Sequence, residues 1–186
     1  MYLLGHVGLT IFLLFAFQKI LKTDYSKFFV FAGLGSMLPD IIDKPIGSIL
    51  FGTGRWFGHS LIFLTLIFAI PFFLLKEQKY REMKIKNILT VLYIGSLAHL
   101  IEDGRGLSRN VILWPFHGSI PNGSQGDFLH GFEDTFTVFF EILGALLLVI
   151  IGLSEKWDIK QWRLLLLMMI SYLLLFFITY LLIVGF

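Results

Sequence analysis

Long apolar stretches recur along this 186-residue chain and leave it few folds other than a bundle of membrane-spanning helices. Several stretches are long enough to cross roughly 30 Å of hydrocarbon as helices, and none alternates with the period of two that a barrel strand needs. Charged residues make up only 15% of the chain, well below their share in a soluble domain. The sequence therefore predicts an all-α, polytopic membrane protein whose residues 1–186 form one membrane-embedded domain.

About six spans account for most of the chain. We expect them at residues 1–21, 28–43, 59–75, 88–102, 132–153 and 164–186. The first lacks a basic leading region and a small-residue cleavage site, so we interpret it as a retained span and not a removable signal. Pro71 is expected to kink the third span. The outer loop at residues 103–131 is rich in Gly, Pro, Asn and Ser, and its length predicts a functional segment such as a lid.

Basic residues are distributed unevenly between the two sides of this topology. Most of the 15 Lys and Arg residues fall in the turns that follow the first, third and fifth spans. By the positive-inside rule these turns face the cytoplasm, which places both termini and all five histidines on the outer side of the cytoplasmic membrane. We therefore expect the active face to be extracytoplasmic.

Candidate ligands from separate spans are predicted to lie at one depth. His6, Asp40 and His99 are each the same number of residues from the nearest basic residue on the cytoplasmic side, which corresponds to roughly 20 Å of helix rise. Glu141 joins this layer, and His59 is expected about one turn above it. These positions predict a polar cup that is sunk in the membrane and opens outwards.

The donors in this cup have the spacing of metal ligands. Asp40 and Asp43 are separated by three residues, and His99 and Asp103 by four, so each pair shares a helical face. The chain contains no cysteine, which excludes thiolate ligands. The candidate metal ligands are His6, Asp40, Asp43, His59, His99 and Asp103. They predict one or two divalent ions, for which zinc suits the mixed nitrogen and oxygen donors, with manganese or iron as alternatives.

Metal-assisted hydrolysis is the chemistry that these residues favour, because a divalent ion makes bound water a hydroxide near neutral pH. Asp43, Glu102 or Glu141 is expected to act as general base, and Arg55 and Arg105 match a phosphate group. Three of these interpretations have a structural alternative. Asp40 could lie at an ordinary helix end, where Lys44 neutralises it, and Glu141 could bond to a neighbouring helix. Arg55, Arg105 and Arg109 could anchor the protein to lipid headgroups. Residues of open role are His117, His130, Glu133 and Asp134.

Five short motifs carry a resemblance to a known family. They are His6 near the start of the first span, Pro39-Asp-Ile-Ile-Asp-Lys-Pro45, Gly58-His-Ser60, Gly95-Ser-Leu-Ala-His-Leu-Ile-Glu-Asp103 and Leu113-Trp-Pro-Phe116. In these motifs the chain resembles the membrane-bound metal-dependent hydrolases, also described as LexA-binding, inner-membrane-associated hydrolases. The resemblance covers residues 5–121 and implies a helical membrane protein in which the six candidate ligands hold a metal. A fainter likeness to zinc-dependent phospholipase C and related nucleases favours phosphoester substrates.

The sequence thus predicts a membrane-embedded hydrolase that cleaves a lipid or lipid-linked phosphoester, with the lipid bilayer as its surroundings and no nucleic-acid partner. The alternative from another class is a metal-ion or proton transporter that uses the same His and Asp cluster. Transport requires a polar path through the membrane, and the spans below the cup offer no ionisable relay. A third reading is a scaffold whose metal is structural, which predicts a closed tetrahedral site. The oligomeric state is left open.

Overall fold

The computed structural model describes residues 3–51, 54–75, 80–103, 109–116 and 135–184, and the regular structure of these residues is helical. Its helices are α1 (Leu3–Leu21), α2 (Phe29–Phe51) after a 3-10 turn at Ser26–Phe28, α3 (Leu61–Leu74), α4 (Tyr80–Glu102), α5 (Arg109–Ile112), α6 (Thr135–Ser154) and α7 (Ile159–Val184). Three helical stretches, Leu3–Leu21, Lys84–Glu102 and Thr135–Ser154, are long and apolar enough to cross a membrane, and α3 is a shorter apolar helix. The predicted all-α membrane bundle is confirmed, whereas the side on which the termini lie stays a prediction.

Helix α2 extends beyond the end that the sequence predicted for it. The expected span stopped at Asp43, before Pro45, but the helix continues through both Pro39 and Pro45 to Phe51. A proline inside a helix removes one backbone hydrogen bond, and packing against neighbouring helices offsets that loss. The two carboxylates that were expected at a helix end therefore lie within a continuous helix.

Two other helices begin earlier than expected. Helix α4 starts at Tyr80, and its first turns contain the charged residues that we had assigned to a hydrophilic turn, because Lys, Arg and Glu favour helix as readily as loop. Helix α7 starts at Ile159 because Asp158 and Gln161 form a capping box, in which each side chain accepts a hydrogen bond from the other residue's backbone N–H.

Glycines allow the helices that carry the polar residues to pack closely. On the face between α1 and α6, a Cβ added to Gly144 would collide with the Leu4 carbonyl and the Gly5 Cα. A Cβ on Gly95 of α4 would likewise collide with the backbone of α2 near Ala32. Small residues are what allow backbones to approach in a membrane, where no hydrophobic force brings helices together. This close packing determines the distance between the polar residues of α1, α2 and α4.

Gly144→Val is expected to destabilise the bundle, because the new side chain would press on backbone atoms of α1 that cannot rotate away. Overpacking costs about 1–3 kcal/mol, and a clash with backbone belongs at the upper end of that range. Thermal unfolding of the purified protein in detergent measures the effect, with lipid-exposed Leu146→Val as the control. A melting temperature equal to that of the wild type would show that α1 and α6 do not pack at Gly144.

Candidate metal centre

The structure brings the predicted layer of ligands together. His6 of α1, Asp40 of α2 and His99 of α4 are all buried. The rings of His6 and His99 are stacked with their centroids 4.0 Å apart, and Oδ1 of Asp40 lies 3.9 Å from Nε2 of His99. Three helices therefore contribute polar side chains to one pocket, as their equal depth in the sequence predicted.

Asp40, His59 and His99 form a first donor group. Nε2 of His59 lies 3.2 Å from Nε2 of His99, and 3.8 Å from Oδ1 of Asp40. Ligands that share one tetrahedral metal at about 2.0–2.2 Å lie about 3.3–3.6 Å from each other. The three donors are spaced close to these values, and they leave the fourth tetrahedral position for a further ligand.

His59 reaches this group from a turn, and not from the higher position that we expected. It precedes α3, whose first turn is capped by Ser60, and the segment folds back to the level of His99. The position one turn above the layer was therefore wrong, because it assumed that the third helix already included His59. A bent segment does not rise by the helical increment.

Asp43 lies behind His59. Its Oδ2 is 2.7 Å from Nδ1 of the His59 ring and accepts backbone N–H bonds from Trp56 and His59, while Oδ1 accepts one from Gly58. A proton on Nδ1 shared with this carboxylate leaves the lone pair of His59 on Nε2, which faces the first donor group. Asp43 thus orients the imidazole and holds the turn against α2, whereas Asp40 faces the imidazoles directly.

His6 and Asp103 form a second donor group together with His99. Oδ1 of Asp103 lies 3.3 Å from Nε2 of His6. The other ring nitrogen, Nδ1, lies 2.6 Å from Oε2 of Glu102, whose Oε1 accepts a hydrogen bond from Thr10. Glu102 therefore orients the His6 ring through Nδ1, as Asp43 orients the His59 ring. Its predicted catalytic role stays a prediction.

Glu141 of α6 contacts the start of α1. Its carboxylate accepts hydrogen bonds from the backbone N–H groups of Leu4 and Gly5, at 2.8 and 3.1 Å. A carboxylate at this position satisfies amides that have no partner within the helix and interacts favourably with the helix dipole. This contact is the structural alternative that the sequence left open, and it holds the two residues of α1 that precede His6. The catalytic role of Glu141 stays a prediction.

Two cationic side chains flank the donor groups. Arg55 donates a hydrogen bond of 3.1 Å to Oδ2 of Asp103, and Nζ of Lys44 lies 3.8 Å from Oδ1 of Asp40. The pocket also contains the carboxylates of Asp43 and Glu102, so four acidic groups face two basic ones. With neutral imidazoles the carboxylates outnumber the basic side chains by two, so the buried pocket favours the binding of cations.

Tyr172 is a pocket residue that the sequence reasoning missed. Its hydroxyl donates a 2.8 Å hydrogen bond to Oδ2 of Asp40, from a helix that is otherwise largely exposed on its outer face. Among the α7 side chains that the structure describes, Leu165 and Tyr172 are buried and lie two turns apart. A polar atom on the buried face of an apolar helix was therefore the available signal.

Tyr172→Phe is expected to weaken metal binding about 10-fold, the lower end of the loss caused by removing an outer hydrogen-bond partner of a ligand. Calorimetric titration of the metal-free protein with Zn²⁺ measures the change. Tyr93→Phe is the matched control, because the Tyr93 hydroxyl bonds to Thr65 across α3 and α4, away from Asp40. Equal affinity in the wild type and Tyr172→Phe would exclude a role for this hydroxyl.

Several predicted features lie outside the described residues. These are Arg105, His117, His130, Glu133, Asp134 and most of the 103–131 loop. Within the described part of that loop, the carbonyl of Trp114 accepts a 2.6 Å hydrogen bond from Ser60. The Trp114 ring packs edge-on against Trp56 and Phe57, while Phe116 is exposed. These contacts attach residues 109–116 next to His59, and the lid stays a prediction.

Buried nitrogen atoms test whether the pocket suits a metal. Nε2 of His6 and Nδ1 of His99 are buried, and neither forms a hydrogen bond with any residue that the structure describes. Two Nε2 atoms that face each other at 3.2 Å, as in His59 and His99, also need a proton or a cation between them. Buried polar atoms normally have partners, and a cation in the pocket would supply one for Nε2 of His6. The donor set therefore fits a metal ion.

Together, the helices and the pocket define a polytopic helical membrane protein with a buried His and Asp cluster that could hold a metal ion. The chain belongs to the YdjM inner membrane protein family, whose family model matches residues 1–183. This match supports location in a membrane and agrees with the resemblance to an inner-membrane family. No curated protein and no solved structure matches the chain.

Proposed function

We propose that this protein is a membrane-embedded, metal-dependent hydrolase that cleaves a phosphoester of a lipid or lipid-linked substrate at the outer leaflet. The first donor group carries the proposal, because Asp40, His59 and His99 would supply three ligands to one ion. Catalytic zinc sites have three protein ligands and an open position, whereas structural sites have four. The mixed nitrogen and oxygen set favours zinc, with manganese or iron as alternatives.

A divalent ion in this pocket would supply Lewis acidity and would lower the pKa of bound water towards neutral pH. The protein's own residues position that chemistry. Asp43 and Glu102 hold the rings of His59 and His6, so that each presents Nε2 to the pocket. Tyr172 occupies one oxygen of Asp40 and leaves the other to face the imidazoles. Rings held in this way need little reorganisation during the reaction.

A phosphoester substrate is supported by the cations at the edge of the pocket. The Arg55 side chain is 42% exposed while its guanidinium reaches buried Asp103, so it connects the surface to the donor groups. A guanidinium carries several N–H donors in a planar fork, and this fork matches the oxygens of a phosphate. The location of the pocket in a membrane bundle favours a substrate that enters with its lipid.

Transport through the same pocket is the competing function, and the packing next to it argues against that function. Val7 and Ile11 follow His6 along α1 and are fully buried. Ser36 and Ser96 precede Asp40 and His99 by one turn, and their hydroxyls donate to backbone carbonyls. An ion leaving the pocket in this direction would have to displace packed apolar side chains and break these bonds.

Hydrolysis assays of purified protein in mixed micelles test the proposal. Bis(p-nitrophenyl) phosphate and short-chain phosphatidylglycerol serve as probes, before and after removal of metal by EDTA and its replacement by Zn²⁺. We expect cleavage that EDTA abolishes and Zn²⁺ restores, and a raised KM in Arg55→Gln. A zinc-loaded protein that cleaves neither probe but carries Zn²⁺ across liposomes would contradict the hydrolase and support the transporter.

A further inference from the structure

Two imidazoles in the pocket are held in the same way. Nδ1 of His59 is paired with Asp43 at 2.7 Å, and Nδ1 of His6 is paired with Glu102 at 2.6 Å. In each pair the carboxylate orients the ring and leaves Nε2 to face the pocket. The pair of His59 and Asp43 would be enough to complete a site for one ion together with Asp40 and His99. The second pair, on a different helix, has no use in a site for a single ion.

Asp103 lies between the two imidazoles, and its oxygens face different groups. Oδ1 lies 3.3 Å from Nε2 of His6, whereas Oδ2 lies 3.6 Å from Nε2 of His59 and 4.0 Å from Nε2 of His99. The donor residues accordingly form two groups that share His99, one with Asp40 and His59 and the other with His6 and Asp103. Oδ2 also accepts a hydrogen bond of 3.1 Å from Arg55, so Oδ1 is the oxygen of Asp103 that faces His6.

The Nε2 atom of His6 supplies an independent observation. The side chain is 2% exposed, and this nitrogen forms no hydrogen bond within the described ranges. The Glu102 contact directs the atom towards the pocket, where Oδ1 of Asp103 is its nearest ion-pairing oxygen. A buried imidazole nitrogen that one carboxylate directs towards another is in an environment that suits a metal ligand.

We propose that the pocket binds two divalent cations: one held by Asp40, His59 and His99, and a second held by His6 and Oδ1 of Asp103. This proposal rests on the proposed function and extends it, because two adjacent ions can hold the attacking and leaving oxygens of a phosphoester together. The second cation has only two protein donors. Most of its coordination positions are therefore available to water and substrate.

Metal content tests this arrangement without a substrate. Purified protein in detergent is dialysed against Zn²⁺, passed over a desalting column and analysed by mass spectrometry. We expect about two zinc ions per chain in the wild type and about one in His6→Ala and His6→Gln, because both substitutions remove only the second site. Gln18→Ala is the control, since Gln18 is a buried polar residue of the same helix that bonds to Glu155 and Tyr25 instead.

The outcomes separate this proposal from the proposed function. One ion in the wild type and one in His6→Gln would overturn the second cation and leave the single-ion hydrolase intact. No ion in the wild type would overturn both. Two ions in both proteins would overturn the assignment to His6. After loading with Mn²⁺, we also expect the electron paramagnetic resonance spectrum of a spin-coupled pair in the wild type, and that of an isolated ion in His6→Gln. An isolated-ion spectrum in the wild type would contradict the proposal.

Discussion

His99→Ala is expected to lose the bound metal and with it all measurable hydrolysis. His99 is fully buried and is the one residue common to both donor groups, so no water can replace its imidazole without opening the bundle. A metal supplies several kcal/mol of charge stabilisation in the transition state, and its loss corresponds to a rate reduction of about 10³-fold or more. Metal analysis and the phosphoester assay on the same preparation measure both effects.

Ser96→Ala is the control for this substitution. Ser96 is also fully buried and lies one turn before His99 on α4, where its hydroxyl donates to the Gly35 carbonyl of α2. Its removal disturbs the contact between α2 and α4 without changing a donor atom of the pocket. A His99→Ala protein that folds and keeps the metal content of Ser96→Ala would show that His99 is not a ligand.

Asp43→Asn is expected to have the second largest effect, although Asp43 faces away from the donor groups. The carboxylate accepts three backbone N–H bonds from residues 56, 58 and 59 and the ring contact of His59. An amide group has only one acceptor oxygen, so it leaves buried donors unsatisfied at about 1–3 kcal/mol each. Because His59 would also lose its orienting partner, we expect metal affinity to fall by about 100-fold.

Zinc titration and thermal unfolding together measure these two effects of Asp43→Asn. Asp24→Asn is the control, because Asp24 accepts hydrogen bonds from the backbone and the hydroxyl of Ser26 in an exposed turn. The Asp24→Asn variant makes the same replacement of carboxylate by amide at a site far from the pocket. Unchanged zinc affinity in Asp43→Asn would show that the turn and the His59 ring are held by other contacts.

The convergence of His6, Asp40 and His99 could be predicted from the sequence because helices rise by a constant increment. Equal distances from the basic edge translate directly into equal depth when each residue belongs to a regular span. The prediction of membrane-spanning helices required nothing beyond apolar length, and three stretches of the described residues meet that criterion. The depth of these three residues depends on helix geometry alone, and it can be calculated from their spacing in the sequence.

The difference between Asp40 and Asp43 could not be predicted in the same way. Both share a face of α2, and only the turn that follows the helix decides that Asp43 is enclosed by backbone amides. Tyr172 was missed for a related reason, since its bond to Asp40 depends on how α7 packs against α2. The second span was expected to end at Asp43, although contacts with other helices stabilise α2 beyond it. In all three cases the structure depends on contacts between residues that are far apart in the sequence.

The central claim is that imidazole and carboxylate groups from separate helices bind one metal centre. X-ray absorption at the zinc edge, on protein reconstituted with Zn²⁺ and freed of excess metal, tests it most directly. The account predicts nitrogen and oxygen ligands at about 2.0–2.2 Å, no sulfur, and the outer-shell scattering of imidazole, which Ser96→Ala retains. Protein that binds no zinc, or zinc without imidazole scattering, would contradict the account.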